Sequence, residues 1–153
     1  MRRFLSECQD SNEQISFDSP IQTDLDLAKD DWISVLKLAT LWDFLEVRRF
    51  AFQKLGGLGM SPVEKIVLGK EASISKWVSD GYAELVTSQS ISDEEVTSVG
   101  LEKAITLYRL REEWLKNQMA SPLLSVERAF KDELKIIRMV ESLYLPTIRL
   151  PPP

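Results

Sequence analysis

The sequence predicts an all-α fold, a bundle of about six to seven helices that follow one another in sequential pairs. Beyond residue 30, apolar residues recur at intervals of three and four, which is the period of one face of an α-helix. Serine-containing start signals and glycine or proline stop signals divide these segments into short helices. No segment alternates apolar and polar residues for long enough to indicate a β-strand. We therefore predict a flexible acidic lead at residues 1–29, a helical bundle at residues 30–144 and a Pro-rich tail at residues 145–153.

Composition limits the chemistry that the chain can carry. The chain has 153 residues, about one domain, and its 44% hydrophobic content is ordinary for a globular protein that buries a core. It contains no histidine and one cysteine, Cys8, which excludes Ser-His-Asp and Cys-His catalytic sites and the usual Cys/His zinc sites. No apolar run reaches 18 residues, so no transmembrane helix is predicted. An acidic residue follows Arg2 and Arg3 before an apolar stretch forms, so a secretory signal peptide is not predicted either. We expect an intracellular protein, in the cytoplasm or nucleus, with no cofactor, no metal and no membrane partner.

The net charge of −5 is concentrated at the start of the chain. Residues 1–31 contain three Lys/Arg and eight Asp/Glu, so residues 32–153 contain 16 of each (19 minus 3, and 24 minus 8). Nucleic acids and anionic membranes bind basic surfaces. The balanced charge of the predicted bundle therefore argues against a nucleic-acid partner.

Residues 32–55 are predicted to form two packed helices around which the rest of the chain is organised. The first helix is apolar over most of its circumference, so we expect it to be covered on more than one side, near the middle of the bundle. Asp30 or Asp31 is the predicted N-cap of this helix and Asp43 that of the second, because a carboxylate there accepts hydrogen bonds from free amides. The glycines of residues 56–59 are interpreted as a helix stop. A phosphate-binding loop would need a preceding strand and a following Lys-Ser/Thr, which the sequence lacks.

The next two helices have stronger signals. Residues 61–64, Ser-Pro-Val-Glu, combine a capping box with proline at the first helical position. The fourth helix carries apolar residues at i, i+3 and i+4 over three turns, from Ile74 to Leu85. Gly81 within it lowers helix propensity and indicates a close contact between helices. Tyr82 is expected in the core, with its hydroxyl at the rim.

Three further helices are predicted. Residues 91–96 combine a capping box with a hydrophobic staple, and their acids are interpreted as first-turn residues that suit the helix dipole rather than as catalytic carboxylates. A longer helix runs from Leu101 to about Gln118. A last helix follows Pro122 as far as Tyr144, and it either docks on the bundle or faces a partner. The candidate partner-binding residues are Trp114, Phe130, Ile137 and Tyr144.

Six stretches carry a family resemblance: residues 32–55, MSPVEKIVLGK at 60–70, ISKWVSDGYAELV at 74–86, ISDEE at 91–95, GLE at 100–102 and YRLRE at 108–112. In this order they resemble the BACK-like helical region that follows the BTB/POZ domain in fungal, basidiomycete-type BTB proteins. The resemblance extends over about residues 30–113. Only 29 residues precede it, so the BTB fold itself is expected to be largely absent from this chain.

The resemblance implies a non-enzymatic protein-interaction module. BTB proteins dimerise through the BTB fold and use the helices after it as a spacer and docking surface, in some cases as adaptors for cullin-based ubiquitin ligases. The expected partner is therefore a BTB protein, whose assembly this chain would modulate, or a cullin. The resemblance supplies no catalytic or cofactor-binding residues.

Alternative interpretations stay open at this point. The chain could be a non-functional truncated paralogue, or an enzyme that uses only carboxylates, lysines and tyrosines, such as Glu102 with Lys103. An interaction module should leave apolar surface on the last helix or near Trp114, whereas an enzyme should have a carboxylate-lined pocket with shifted pKa values. In the tail, Arg149 followed by Leu-Pro-Pro-Pro resembles an SH3 ligand, but the chain lacks PxxP spacing.

Overall fold

The computed structural model describes residues 25–117 and 121–144, and the fold of these residues is all-α, as predicted. Eight α-helices and one short 3-10 helix make up this part of the chain, and it contains no strand. The helices are α1 (Lys29–Leu41), α2 (Leu45–Gly57), α3 (Pro62–Glu71), α4 (Ser75–Thr87), α5 (Asp93–Val99), α6 (Leu101–Asn117), α7 (Pro122–Ala129) and α8 (Lys131–Glu141), followed by the 3-10 segment Ser142–Tyr144. The predictions for residues 1–24 and 145–153, which include Cys8 and Arg149, lie outside the described residues.

The count of helices exceeds the prediction because the last predicted helix is two helices. Phe130 adopts φ −104° and ψ 24° between α7 and α8, which interrupts the helical backbone. The regular spacing of apolar residues through this break made one continuous helix the simpler interpretation. The sequence carries no glycine or proline at the break that would have signalled it.

Both predicted capping boxes are present. Ser61 Oγ accepts a hydrogen bond from the Glu64 amide at 3.2 Å, and the Glu64 carboxylate accepts one from the Ser61 amide at 2.7 Å. Ser92 and Glu95 make the same reciprocal pair at 3.3 and 2.7 Å. These side chains satisfy amides that the first turn of a helix leaves without partners. The starts of α3 and α5 are therefore encoded locally.

The predicted aspartate caps are wrong. Helix α1 begins at Lys29, so Asp30 and Asp31 lie in its first turn, where the Asp31 carboxylate accepts a hydrogen bond from the Ala28 amide at 3.2 Å. Asp43 lies in the turn before α2 with φ 55°, and Phe44 occupies the N-cap position. Carboxylates stabilise a first turn through the helix dipole as well as by capping, and the sequence pattern does not distinguish the two.

Helix α4, and not α1, lies in the middle of the bundle. It packs against α3, α6, α7 and α8, whereas α1 packs mainly against α2. The larger core cluster surrounds α4, and its members are Ile66, Val78, Tyr82, Leu85, Val86, Val99, Leu107, Leu110, Val126, Phe130, Leu134 and Ile137. A smaller cluster joins α1 to α2, α3 and the start of α4, and its members are Trp32, Leu36, Ala51, Leu55, Leu68, Ala72, Ile74 and Trp77. The broad apolar surface of α1 is therefore covered on one side only.

Two glycines set the distance between α3 and α4. A Cβ atom on Gly81 would lie 2.6 Å from the Pro62 carbonyl oxygen and 2.7 Å from Ile66 Cγ1. A Cβ atom on Gly69 would lie 2.7 Å from Val78 Cγ2. These separations are too short for real side chains, so the close helix contact predicted from Gly81 is confirmed.

Candidate interaction surfaces

A polar cluster joins four helices on one side of the core. The Glu133 carboxylate of α8 accepts hydrogen bonds from Lys103 of α6 at 2.6 Å and from the Tyr82 hydroxyl of α4 at 3.3 Å, and it pairs with Lys70 of α3 at 2.9 Å. The Tyr82 ring is fully buried and stacks on Phe130 with ring centroids 4.2 Å apart. Because the Glu133 carboxylate pairs with a lysine on each of two other helices, it stabilises the positions of α3, α6 and α8 relative to one another.

The environment shifts the pKa of each ionisable group in this cluster. Burial, and then the nearby Glu133 charge, raise the pKa of the Tyr82 hydroxyl. Burial also lowers the pKa of Lys70. For Glu133, burial raises the pKa, but the hydrogen bonds from Lys103 and Lys70 outweigh it and hold the pKa below the usual carboxyl range. For Lys103, burial lowers the pKa, but the hydrogen bond to Glu133 and the surrounding charges leave it raised.

The cluster satisfies its own polar groups. Lysine, tyrosine and carboxylate in one place are the residue types that the enzyme alternative requires, and shifted pKa values occur at both catalytic and structural sites. Here the Glu133 carboxylate is shared by two lysines, and the Tyr82 hydroxyl, which has no exposed surface, donates to that carboxylate. The structure pairs Lys103 with Glu133 rather than with Glu102, the partner considered from sequence. The arrangement acts as a clamp between helices.

Two of the four candidate partner-binding residues are core residues. Phe130 is 7% exposed and Ile137 is 9% exposed, and both belong to the larger cluster. They are buried because α7 and α8 fold back onto α4 and present their shared apolar seam to it. Neither side chain is therefore accessible in this chain, and their contact with a partner stays a prediction.

The other two candidates lie at the edges of the bundle. Trp114 is half-buried at the rim of the larger cluster. Tyr144 is half-buried, and the Arg48 guanidinium lies over its ring, 4.4 Å from the centroid. Both retain exposed surface, so contact with a partner stays a prediction for them.

The side of α8 that points away from the core is also apolar. Ile136 is 61% exposed and Met139 is 65% exposed, and Leu143 in the following 3-10 segment is 77% exposed. These three residues, called the outer face of α8 from here on, are spaced by three and four and so lie on one side of the helix. Buried Leu134 and Ile137 mark the opposite side. Ile137, predicted from the sequence to bind a partner, belongs to the buried series of α8. Ile136 and Met139, each two residues after a buried residue, form a second apolar series that the sequence also contains.

A second exposed apolar series runs along α6. Leu101, Ile105 and Leu115 are each more than half exposed, and Tyr108 between them is 44% exposed. The Tyr108 hydroxyl donates to the Ile91 carbonyl at 3.4 Å, which holds the loop before α5 against this side of α6. Leu115 is the neighbour of Trp114 in sequence, so apolar surface is present near that tryptophan.

A third exposed group, called the aromatic corner from here on, occupies the turn between α1 and α2. Its members Leu41, Trp42 and Phe44 are 73%, 59% and 54% exposed. The Trp42 and Phe44 rings meet edge to face with centroids 6.0 Å apart. Beside them is an open cleft of about 600 Å³, and it is lined by Lys37, Thr40, Leu41, Asp43, Glu71 and Tyr144.

Arg48 of α2 contacts both the turn after α3 and Tyr144, which lines the cleft. Its Nη2 donates to the Ala72 carbonyl at 2.7 Å and to the Ser73 carbonyl at 3.4 Å. Burial lowers the pKa of the Arg48 guanidinium. The same guanidinium lies over the Tyr144 ring. The Arg48 Nε atom is buried and has no hydrogen-bond partner among the described residues. The contacts of Arg48 therefore hold α2, the turn after α3 and the 3-10 segment together.

Comparisons with protein-family models, with curated proteins and with solved structures found no match. The resemblance to the helical region of BTB proteins therefore stays a prediction. Among residues 25–117 and 121–144, no helix has the length and apolar character needed to cross a membrane.

Proposed function

We propose that this chain is a non-enzymatic protein-interaction module that binds a protein partner through the outer face of α8. The observation that carries the proposal is the exposure of Ile136, Met139 and Leu143, each above 60%, on a helix whose other side is already core. Single exposed apolar residues are ordinary on protein surfaces, but a contiguous series is typical of an interaction site.

The position of these residues favours a helix-mediated contact. The fold needs only the inner side of α8, where Leu134 and Ile137 pack on α4, so apolar residues on the outer side contribute little to folding. Covering them gains roughly 25 cal/mol per Å² of apolar surface. An amphipathic helix with anchors at i, i+3 and i+7 fits the groove of a partner in a common recognition mode.

The family resemblance suggests the identity of the partner. If the chain is a BACK-like region of the BTB type, its partner is a BTB protein, whose assembly it modulates, or a cullin for which it acts as part of a ubiquitin-ligase adaptor. Both are intracellular proteins, in agreement with the expected compartment. The apolar outer face of α8 supports contact with a protein surface of either kind.

A binding titration tests the proposal. The full chain, labelled with a fluorophore at Cys8, is titrated with a full-length basidiomycete BTB protein and, separately, with the N-terminal half of a cullin. The double variant Ile136→Ser with Met139→Ser should bind about tenfold more weakly or worse, because each 1.4 kcal/mol of lost contact is a factor of ten. The matched control is Leu58→Ser, which changes a 48% exposed leucine after α2.

Each outcome has a defined meaning. Weakened binding in the double variant, with binding retained in the control and unchanged circular dichroism in both, supports the proposal. Equal loss in the two variants, or binding that neither variant changes, overturns the assignment to α8. If neither protein binds the unmodified chain, the proposed partners are wrong.

A further inference from the structure

The exposed apolar side of α6 is arranged symmetrically about its middle. Leu101 and Leu115 each lie seven residues from Tyr108, and all three are exposed. Seven residues are nearly two turns of an α-helix, so the three side chains fall along one line. Exposed Ile105 lies beside this line. These four residues are called the α6 stripe from here on, and the order Leu, Tyr, Leu along its line is the same from either end of the helix.

One flank of the α6 stripe is covered by the chain itself. The loop before α5 lies against it, because the Tyr108 hydroxyl donates to the Ile91 carbonyl and the Arg111 guanidinium donates to the Gln89 carbonyl. The stripe can therefore be extended by a docked surface only on its other flank.

The other flank carries charged side chains in a fixed order. Glu102, Arg109 and Lys116 are exposed and are also spaced by seven, so they follow one edge of the stripe, with the acid at the N-terminal end and the lysine at the C-terminal end. Among the described residues, Glu102 and Arg109 form no ion pair, and Lys116 reaches only exposed Glu112, at 3.9 Å. The two ends of this edge are therefore complementary in charge to each other.

A second copy of the chain matches this surface when the two α6 helices run antiparallel. A twofold axis at Tyr108 brings Leu101 of each copy opposite Leu115 of the other, and such an isologous contact uses the same surface twice. The rotation also sets the charged edge of one copy against the charged edge of the other, so each Glu102 comes close to a Lys116. In a parallel pair, each Glu102 would instead be level with the other Glu102 and about 21 Å along the axis from Lys116.

The size of this contact indicates a weak dimer. Helix α6 has 17 residues and is about 25 Å long. A contact between two single helices of this length lies at the lower end of the areas of specific interfaces, roughly 1,200 Å² in total. Ion pairs at the rim of an interface add orientation more than affinity. We therefore expect dissociation in the micromolar range.

We propose that the α6 stripe is a self-association surface, through which two copies of this chain form an antiparallel dimer. The apolar side chains supply the affinity, and the pairs between Glu102 of one copy and Lys116 of the other fix the direction. The α6 stripe is separate from the outer face of α8, so the proposal does not depend on the proposed function.

Sedimentation velocity of the full chain tests the dimer. The sedimentation coefficient should rise from that of a monomer to that of a dimer as the concentration increases through the micromolar range. Ile105→Ser should weaken the dimer about tenfold, because it removes an apolar side chain from the middle of the contact. The matched control is Ile136→Ser in α8, which changes an isoleucine of similar exposure and should leave the dissociation constant unchanged.

Charge reversal tests the direction of the pair. Glu102→Lys alone and Lys116→Glu alone each place like charges together at both ends of the antiparallel contact, so each should weaken the dimer at low salt. The double variant Glu102→Lys with Lys116→Glu should recover the affinity of the unmodified chain. Both side chains are exposed, and circular dichroism checks that every variant stays folded.

Three outcomes would overturn the proposal. The first is a chain that stays monomeric up to millimolar concentration. The second is a dimer that Ile105→Ser does not weaken, because the contact then lies elsewhere. The third is a double charge variant that associates no more tightly than the two single variants, which would contradict the antiparallel arrangement.

Discussion

The two helix pairs at the start of the fold, α1 with α2 and α3 with α4, pack in different ways. Helices α1 and α4 have 13 residues each, but α1 buries three of them and α4 buries eight. The α3/α4 pair approaches closely because Gly69 and Gly81 leave room for the facing backbone and side chains, and three more helices then cover α4. The α1/α2 pair ends in the exposed aromatic corner. Apolar content alone therefore does not decide which helix becomes central.

Apart from the core control Trp77→Ala, the largest expected effect comes from Gly81→Ala, which breaks the closer of the two pairs. The new methyl group would meet the Pro62 carbonyl oxygen at 2.6 Å, and backbone cannot yield cheaply. We expect a loss of about 2 to 3 kcal/mol in the free energy of unfolding, although alanine has the better helix propensity. Urea unfolding followed by circular dichroism measures it.

The matched control is Gly56→Ala in α2, where a Cβ atom would meet nothing within 4 Å. It should leave stability unchanged or raise it by up to about 1 kcal/mol. Equal destabilisation by the two substitutions would contradict the explanation based on space.

A smaller loss in the free energy of unfolding is expected when the ion pairs of Glu133, which join α8 to α3 and α6, are removed. Glu133→Gln leaves Lys70 and Lys103 close together without a carboxylate, and we expect a loss of about 1 to 2 kcal/mol at pH 7. The control is Glu71→Gln, which removes the exposed Lys37 pair joining α1 to α3 and should cost at most about 0.5 kcal/mol. A similar cost for both would show that the cluster stabilises no more than a surface ion pair.

The contribution of Glu133 should depend on pH. Its pKa is lowered in the folded chain, so the stabilisation is present above the ordinary carboxyl pKa of about 4.3 and is lost as the pH falls through the lower folded value. The stability difference between the unmodified chain and Glu133→Gln should therefore shrink on acidification. A constant difference down to acid unfolding would count against the paired carboxylate.

Tyr82→Phe should have a modest effect at neutral pH, about 1 kcal/mol, because one hydrogen bond to Glu133 is lost while the ring keeps its stack on Phe130. Burial raises the folded pKa of Tyr82, so its contribution is complete below the ordinary tyrosine pKa of about 10 and falls as the pH rises above it. In alkali, the unmodified chain should lose stability faster than the variant. Parallel loss in both would mean that Tyr82 ionises freely in the folded chain.

The smallest effect is expected at the aromatic corner. Trp42→Ser removes a side chain that is 59% exposed, so the free energy of unfolding should change by less than about 0.5 kcal/mol. Trp77→Ala, at 5% exposure in the smaller cluster, should cost about 3 to 5 kcal/mol. Thermal unfolding of both variants would show whether the corner belongs to the surface, as the structure places it.

The sequence by itself determined the all-α class, the starts of α3 and α5, and the close contact at Gly81. These features depend on neighbours in the chain or on a residue with no side chain, so a local pattern is sufficient. The helix boundaries were not determined in the same way: Asp31 suits both a cap and a first turn, Asp43 lies in the turn before α2 rather than at its cap, and the break at Phe130 has no local signal.

Only the tertiary structure decided which apolar residues are core and which are surface. Phe130 and Ile136 are both large and apolar, yet α4 covers the first and nothing in the described residues covers the second. The Glu133 clamp likewise joins residues 30 to 63 positions apart, and no spacing rule connects them. Periodicity identifies a face of a helix, but coverage of that face depends on where distant helices pack.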